Sequence, residues 1–187
     1  MLKIDNLKQA LNDFSNNIVK DAKANLESTG KVDTGQLKNS LVNQGAKVSK
    51  NSIEINILMS KYGAFVDKGV RGVGGVRKQT SAFKRTNNKG KMWKQKGKGS
   101  PYSFKEGVKP SVKHFIEWSN KRGLSPYAVR ESVYHQGIEP NKFLEKAVKK
   151  NISQLSSVIT DAFSLDIEST VNFLIKSNFN TNKAMHY

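Results

Sequence analysis

The 187-residue sequence predicts an α+β fold, in which a long N-terminal helix and a long C-terminal helix pack on a small antiparallel sheet. Near both ends of the chain, apolar residues recur at steps of three and four, the spacing of an amphipathic helix. Between residues 44 and 58 they alternate with polar residues, which is typical of strands with one buried face. A basic loop and a helical insertion separate these strands from the last helix.

The N-terminal segment carries an apolar stripe over about six helical turns. It consists of Leu7, Leu11, Phe14, Ile18, Ala22 and Leu26. Ser28-Thr29-Gly30 ends this helix, with Gly30 suited to the left-handed closing position. In residues 32–41 the side chain of Asp33 or Thr34 can cap a short second helix. Leu37 and Leu41, four residues apart, then lie on one face of it.

The alternating segment predicts a β-hairpin with Lys50-Asn51-Ser52 as its connection. The residues expected to face the core are Ala46, Val48, Ile53, Ile55 and Ile57. Residues 60–69 fit either a short helical turn or a third strand. In both cases the side expected to be buried consists of Tyr62, Phe65 and Val66.

Two short helices and one long helical stripe follow Pro110. The first is capped by Ser111 and runs through Lys121, and the second starts at Ser125-Pro126 and runs to about Tyr134. The expected apolar side of the first consists of Val112, Phe115, Ile116 and Trp118. The last stripe consists of Phe143, Leu144, Val148, Ile152, Leu155, Ile159, Phe163, Ile167, Val171 and Leu174.

That last stripe predicts either one very long helix or two helices broken near Ser164-Leu165-Asp166. Its length exceeds what the small sheet can bury, so we expect its far part to pack on another subunit. The polar residues 179–187 are expected to form a flexible tail.

The formal net charge of +17 is concentrated in one segment. Residues 1–69 hold ten basic and seven acidic residues, and residues 111–187 hold the same numbers, so each has a net charge of +3. Residues 70–110 hold twelve basic residues and one acidic residue, Glu106, a net charge of +11. This excess predicts an acidic partner, most simply nucleic-acid phosphate, although an acidic protein surface would serve as well.

The residues expected to contact that partner recur without a helical or strand period. They are Arg71, Arg77, Lys78, Lys84, Arg85, Lys89, Lys91, Lys94, Lys96 and Lys98. Phe83, Trp93 and Tyr102 are interleaved with them. A mobile solvated loop, a loop facing nucleic acid and a loop docking on an acidic protein all remain open at this point.

The sequence offers no catalytic constellation, so we predict a protein that is not an enzyme and that has no cofactor and no metal. His114, His135 and His186 have no carboxylate or second histidine at ligand spacing. The carboxylates are scattered singly, and the absence of cysteine excludes a thiol nucleophile. No apolar run approaches the ~20 residues of a membrane span, so no membrane partner is expected.

Three segments, in this order, resemble the phage tail-completion proteins, also called tail-component or head–tail joining proteins. The first, residues 32–41, is similar to the family's Val-Asp-Thr-Gly-x-Leu-x-x-Ser. The second, residues 62–69, is similar to its Tyr-Ala-x-x-Val-Glu-x-Gly. The third, residues 140–147, is similar to its Pro-x-Pro-Phe-Leu-x-x-Ala. The matching residues are Asp33, Thr34, Gly35, Leu37, Ser40, Tyr62, Phe65, Val66, Gly69, Pro140, Phe143 and Leu144.

The chain departs from the family pattern in three places. Lys31 and Lys142 stand where proline is common, and Asp67 stands for the usual glutamate. Residues 70–137 also interrupt a connection that is shorter in many members. The predicted division is therefore a family-like core of residues 1–69 and 138–178, a basic loop of residues 70–110 and a helical part of residues 111–137.

The resemblance implies a structural subunit of a tailed-phage virion, assembled in the host bacterial cytoplasm. Such subunits form a homo-oligomeric ring in the neck, between the portal and the tail proteins, with the packaged double-stranded DNA passing along the axis. A basic loop repeated around a ring would contact phosphate without reading bases. The alternative is a free, sequence-independent nucleic-acid-binding protein in which the same loop acts with stacking aromatic residues.

Overall fold

The computed structural model confirms the α+β fold, and it describes residues 4–29, 34–49, 52–75 and 92–184, with side chains described as far as residue 175. The helices and strands occur in one order along the chain: α1 (Asp5–Ser28), α2 (Gln36–Ser40), β1 (Val42–Val48), β2 (Ile53–Leu58), α3 (Gly63–Lys68), β3 (Val70–Arg71), a 3-10 turn (Val112–Phe115), α4 (Ile116–Asn120), α5 (Pro126–Gln136), β4 (Gly137–Ile138), α6 (Phe143–Ile152) and α7 (Leu155–Ala184).

The chain forms two compact units. The first unit consists of Met1–Gly30, Gln36–Met59 and Phe143–Tyr187, and so contains α1, α2, the β1–β2 hairpin, α6 and α7. The second unit consists of Lys31–Gly35 and Ser60–Lys142. The sequence-based division into a family-like core (residues 1–69 and 138–178) and an insertion (residues 70–137) stays a prediction.

In the first unit, α1 is the central helix, and its predicted apolar stripe is buried throughout. Leu7 and Leu11 form a core cluster with Ala162 of α7. Partly buried apolar residues of the hairpin and α7 pack against this cluster, namely Ala46, Val48, Ile55, Leu155 and Ile159. The hairpin and α7 therefore share one core on α1, as the periodicities predict. The prediction that Ile53 faces the core is wrong, because this residue, at the start of β2 next to the turn, is 43% exposed.

The β1–β2 hairpin is antiparallel and contains a bulge between Asn43 and Ala46. The amide of Asn43 holds this bulge, because its Oδ1 accepts hydrogen bonds from Gly45 N at 2.8 Å and from Ser15 Oγ of α1 at 2.8 Å. Asn12 of α1 completes the contact by accepting from Ala46 N at 2.7 Å. A bulge leaves backbone groups out of the ladder. Here the side chain of Asn43 in β1 accepts from Gly45 N, and the side chain of Asn12 in α1 accepts from Ala46 N.

The last helical stripe consists of two helices, but the predicted break near Ser164-Leu165-Asp166 is wrong. The break lies between Ile152 and Leu155. Just before it, Asn151 is buried, and its Nδ2 donates to Ala147 O of its own helix and to Asp21 Oδ2 of α1. A side chain that hydrogen-bonds to its own backbone competes with a regular helix.

Asp166 explains why the expected break does not occur. It lies within α7 and is 1% exposed, and its carboxylate caps the start of α1. Asp166 Oδ1 accepts from Asn6 N and Asn6 Nδ2, each at 3.0 Å, and Oδ2 accepts from Leu7 N at 2.9 Å. Ile4, the residue before α1, has no side-chain acceptor of its own. The cap is therefore supplied from the opposite end of the chain.

In the second unit, β3 pairs with β4, and residues 102–104 lie along the other side of β3. Arg71 N donates to Tyr102 O at 2.9 Å, and Phe104 N donates to Arg71 O at 3.0 Å. α5 ends at Gly137, close to the end predicted for it.

Two predicted faces in the second unit are wrong. In α3 the buried residues are Gly63 and Asp67, while Tyr62 and Phe65 are exposed. Ile116 and Trp118 are also exposed, and Ser119 is the buried residue of α4. Both helices are one to two turns long, so an apolar stripe with a helical period is not established in them.

We predict that Asp166→Ala lowers the free energy of unfolding by about 1–3 kcal/mol, because it leaves backbone N–H donors at the start of α1 without an acceptor. Urea unfolding followed by circular dichroism measures this loss. Asp161→Ala is the matched control, since it removes an exposed carboxylate from the same helix. Equal losses in the two variants would contradict the capping role.

The same carboxylate gives the fold a defined acid sensitivity. Burial acts to raise the pKa of Asp166, but the hydrogen bonds from Leu7 and Asn6 outweigh it, so the pKa lies below its usual value. Its contribution is then present above the unfolded pKa of about 3.9 and is lost as pH falls through that value toward the folded pKa. We expect wild type to lose stability between about pH 5 and pH 3 more steeply than Asp166→Asn. Urea midpoints across that range test this, and parallel profiles would refute it.

Candidate assembly surface and polyanion-contact surface

The first candidate surface lies on α7, from Phe163, just before the contact of Asp166 with the start of α1, to the part of the helix beyond that contact. Because Asp166 meets the first turn of α1, residues 167–184 continue past the start of that helix. At a rise of about 1.5 Å per residue this extension is roughly 27 Å long. Among the described residues, the core cluster on α1 contains no residue of α7 beyond Asp166.

Exposed apolar side chains occur on several faces of this part of α7, among them Leu165, Phe173 and Ile175, and four others share one face. Phe163, Ile167 and Val171 are 39%, 44% and 47% exposed, and a step of four residues keeps them within a narrow angular range. Leu174 continues the row and is also exposed. We call these four residues the assembly stripe. An ordered row of half-exposed large apolar side chains is typical of a surface that packs on a partner.

The second and third motif segments meet through their backbones in the second unit. Asn141 N donates to Val66 O at 2.9 Å, and Lys142 N donates to Asp67 O at 3.0 Å. The sequence resemblance placed these residues in separate segments, and the structure brings them together at the end of α3.

Gly69 is required at this meeting point. Its φ is +72°, and a Cβ at this position would lie 2.6 Å from the carbonyl oxygen of Ile138 and 2.8 Å from the nitrogen of Pro140. No L-residue with a side chain fits there without moving the backbone of the third segment. The glycine and the proline of the two motif segments are therefore parts of one contact.

Lys142 shows that the third segment is built differently from the family pattern it resembles. Its φ is +58°, and its N–H is used in the hydrogen bond to Asp67. Proline, which is common at this position in the family, has a φ near −65° and no N–H. Proline could not take the place of Lys142 in this structure without a change of backbone conformation.

The other motif residues have mainly packing roles. Phe143 is fully buried in the first unit, and its carbonyl oxygen accepts from Asn25 Nδ2 at 2.9 Å. Leu37 is buried, as is Leu41 after it. The remaining matching residues of this group are placed as follows: Thr34 exposed, Gly35 at positive φ, Ser40 donating to Leu37 O, Leu144 and Val66 partly buried, and Asp33 outside the described residues.

The second candidate surface is a row of lysines in the second unit. Lys94, Lys96 and Lys98 are exposed, whereas the residues between them, Gln95 and Gly97, are partly or fully buried. Exposure thus alternates over these five residues, but they do not form a strand, because Gly97 has a φ of +66° and a turn begins at Lys98. The interpretation that the basic residues recur without a strand period stays a prediction. We call the three side chains the lysine row.

The residues between the lysines fix the row to the second unit. Gln95 Nε2 donates to Gly72 O at 3.0 Å. Gly97 has a φ of +66°, and a Cβ there would lie 2.5 Å from the carbonyl oxygen of Val70. Just before the row, the Trp93 ring stacks on His135 with a centroid distance of 5.5 Å and an interplanar angle of 3°.

Not every cation of the second unit is available to a polyanion. Lys109 Nζ donates to both carboxylate oxygens of Glu131 at 2.9 Å, and Arg130 donates to the same carboxylate at 2.8 Å. The hydrogen bond from Lys109 holds the pKa of Glu131 below its usual value, with Arg130 acting in the same direction. By contrast, no ion pair within the described residues involves the lysine row.

The other predicted contact residues are only partly described. Arg71 is exposed on β3, whereas Arg77, Lys78, Lys84, Arg85, Lys89 and Lys91 lie outside the described residues. Of the aromatic residues, Phe83 also lies outside them, and Tyr102 makes an edge contact with Phe65 at 4.6 Å.

One histidine within the described ranges does meet a carboxylate: His135 Nε2 lies 3.6 Å from Glu131 Oε2, four residues earlier on α5. The expectation that no histidine has a carboxylate at ligand spacing is therefore wrong for His135. His135 Nδ1 lies 2.7 Å from Gly74 O, and His114 is exposed, while His186 is outside these ranges. No group of three or more metal-binding side chains occurs in the part of the chain searched. In that part, no helix combines the length and apolar character needed to cross a membrane.

Comparisons with known proteins give no relative: no family model, no curated protein and no solved structure matches this chain.

We predict that replacing all three lysines of the lysine row by glutamine weakens binding to double-stranded DNA. The slope of log K against log salt concentration should also fall by roughly 2 to 3, because each phosphate contact contributes about 0.9. Fluorescence anisotropy with DNA of arbitrary sequence, at several salt concentrations, measures both. The matched control replaces Lys8, Lys20 and Lys146, three exposed lysines of the first unit. Equal effects of the two triple variants would show that only net charge matters.

Proposed function

We propose that this chain is a structural protein of a tailed bacteriophage virion, a subunit of a neck or tail-completion ring that joins portal or capsid to tail around the DNA channel. The observation that carries the proposal is the assembly stripe on α7. Exposed apolar side chains repeat there along a helix that extends beyond the core of its own unit. Such a surface suits contact with another copy of the chain, as a closed ring needs.

The three motif segments supply the type of assembly. They resemble the tail-completion family, and the second and third of them share a backbone contact in which Gly69 is sterically required. Lys142 and the long segment between α3 and β4 separate this chain from the usual family pattern. In this proposal the first unit therefore forms the contacts of the ring, and the second unit binds a partner that is particular to this protein.

The lysine row supports a role for the second unit at the DNA channel. Three exposed lysines at alternate positions can contact phosphates without reading base sequence, which suits DNA that passes through a ring. In this proposal the partners are copies of the chain, the portal and tail proteins and the packaged DNA. The protein acts in the virion after assembly in the host cytoplasm, and it performs no catalysis.

The second candidate function is that of a free nucleic-acid-binding protein, which the lysine row alone would favour. Stacking on bases is less well supported, because Trp93 and Tyr102 already have ring partners within the second unit. A free binding protein would also have no use for the assembly stripe. The two functions therefore differ in whether the assembly stripe contacts another copy of the chain.

Variants of α7 test the proposal. We expect Ile167→Asp, alone or with Val171→Asp, to abolish annular particles seen by electron microscopy of the purified protein with and without its portal partner. A charge in a buried helix contact is unpaired and costly. Leu165→Asp is the matched control, since Leu165 is 54% exposed and lies on the opposite side of the same helix. Circular dichroism checks that each variant is folded.

Two results would contradict the ring. One is a wild-type chain that forms no annular particles under either condition. The other is loss of particles in the Leu165 variant to the same degree as in the Ile167 variant, because the stripe would then not be the contact.

A further inference from the structure

The two edges of the β1–β2 hairpin differ in their hydrogen bonds with the rest of the first unit. On the β1 side, Asn12 Oδ1 accepts from Ala46 N at 2.7 Å, and Asn43 Nδ2 donates to Asn12 O and to Asn16 Oδ1. Side chains of α1 thus occupy the β1 edge. The β2 edge has no such neighbour among the described residues of the unit.

The phase of the ladder identifies which β2 residues face outward. Ser49 N donates to Ser52 O at 2.9 Å next to the turn, and the register pairs Lys47 with Glu54. Hydrogen-bonded pairs recur every two residues in an antiparallel ladder, so Glu54 directs its N–H and C=O toward β1.

The backbone groups of Ile53, Ile55 and Ile57 consequently point away from β1. The hydrogen bond of Ala46 agrees with this phase, because Ala46 is the partner of Ile55 and its N–H points to α1. Within the described part of the chain, no hydrogen bond outside the ladder satisfies the N–H or C=O of these three isoleucines.

The sequence of β2, Ile-Glu-Ile-Asn-Ile-Leu, has one charged residue, Glu54, and otherwise lacks the features that usually protect an edge. It contains no proline, no lysine and no glycine, and the bulge of the hairpin lies on β1. Native proteins normally protect a free edge by such means, since it offers a row of unpaired backbone groups to any other strand. An edge with so little protection beside a protected one indicates a strand-pairing site.

We propose that β2 pairs with β2 of a second copy of this chain, antiparallel and centred on Ile55. Outward-facing residues must meet outward-facing residues, so Ile55 pairs with Ile55 of the partner subunit, and Ile53 pairs with Ile57 of the partner subunit. This register uses all three outward residues of each strand. Two hairpins then form one four-stranded sheet, which is more stable than an isolated pair of strands.

The charges of β2 fit this register. Glu54 lies opposite Asn56 of the partner subunit, and Asn56 lies opposite Glu54 of the partner subunit, so no two carboxylates face each other. Like charges directly opposite each other would weaken the pairing. Each isoleucine meets another isoleucine on one face of the sheet, and β-branched residues pack well there.

This inference does not rest on the proposed ring. Two-fold pairing of β2 closes after two copies, whereas a ring contact repeats from copy to copy. The two surfaces lie on different elements, so either can exist without the other.

Substitutions at Asn56 test the register by the sign of their effects. Asn56→Lys should tighten the dimer, and Asn56→Glu should weaken it, each by roughly 2- to 30-fold in dissociation constant, as expected for two cross-strand charge pairs. Asn56→Gln is the neutral control. Net charge alone predicts the opposite order, because the chain carries +17 and an added lysine increases repulsion between copies.

The measurement is sedimentation equilibrium of the full chain carrying Ile167→Asp, so that assembly through α7 does not contribute. Ile53→Pro in the same background should abolish the dimer, because it removes an outward N–H and spares the ladder to β1. Circular dichroism confirms that this variant is folded.

A dimer that responds to Asn56 in the predicted order supports the inference, whether or not rings form in the wild-type chain. A monomer in the Ile167→Asp background, or a dimer indifferent to the sign of the charge at residue 56, overturns it. Loss of rings in the Ile167 variant bears only on the proposed function.

Discussion

The carboxylate of Asp166 on the first turn of α1 is the contact on which the first unit depends. A helix start has backbone donors that need acceptors, and the residues beside α1 provide none through a side chain. Taking the acceptor from α7 fixes the position of that helix along α1. This position places Ala162 in the core with Leu7 and Leu11, and it also determines where α7 leaves the core. The assembly stripe is exposed because of where this cap lies.

Periodicity alone predicted α1 and the hairpin, because each buries one face on a neighbour. It also predicted the last apolar stripe as helical, although the second half of that stripe is exposed. It could not predict the role of Asp166. A polar residue within an apolar stripe indicates an interruption if its partner is unknown, and the partner here is 160 positions away in the chain. The real break follows Ile152, next to the buried Asn151, whose side chain donates to Asp21 of α1, and no local pattern reveals that contact.

The candidate surfaces were predictable to different degrees. The assembly stripe follows from a helix longer than its core, which the sequence indicates directly. The lysine row was predicted as a set of charges, but not as a row of alternating exposure, because that alternation depends on burial of Gln95 and Gly97 by Gly72 and Val70. The same limit applies to Tyr62 and Phe65. In a helix as short as α3, the tertiary contacts decide which side is buried, and Asp67 takes that place.

Symmetry relates the two contacts inferred for the first unit. A ring between portal and tail has two different faces, since each meets a different neighbour. Pairing of β2 about a two-fold axis turns the two copies in opposite directions, so two rings joined in this way would present identical faces outward. In these two proposals the β2 dimer and the neck ring are therefore different states of the chain. In that arrangement the dimer covers the β2 edge, which would otherwise be open to aggregation before assembly. Formation of the ring then requires β2 to separate from its partner or to pair with a different strand.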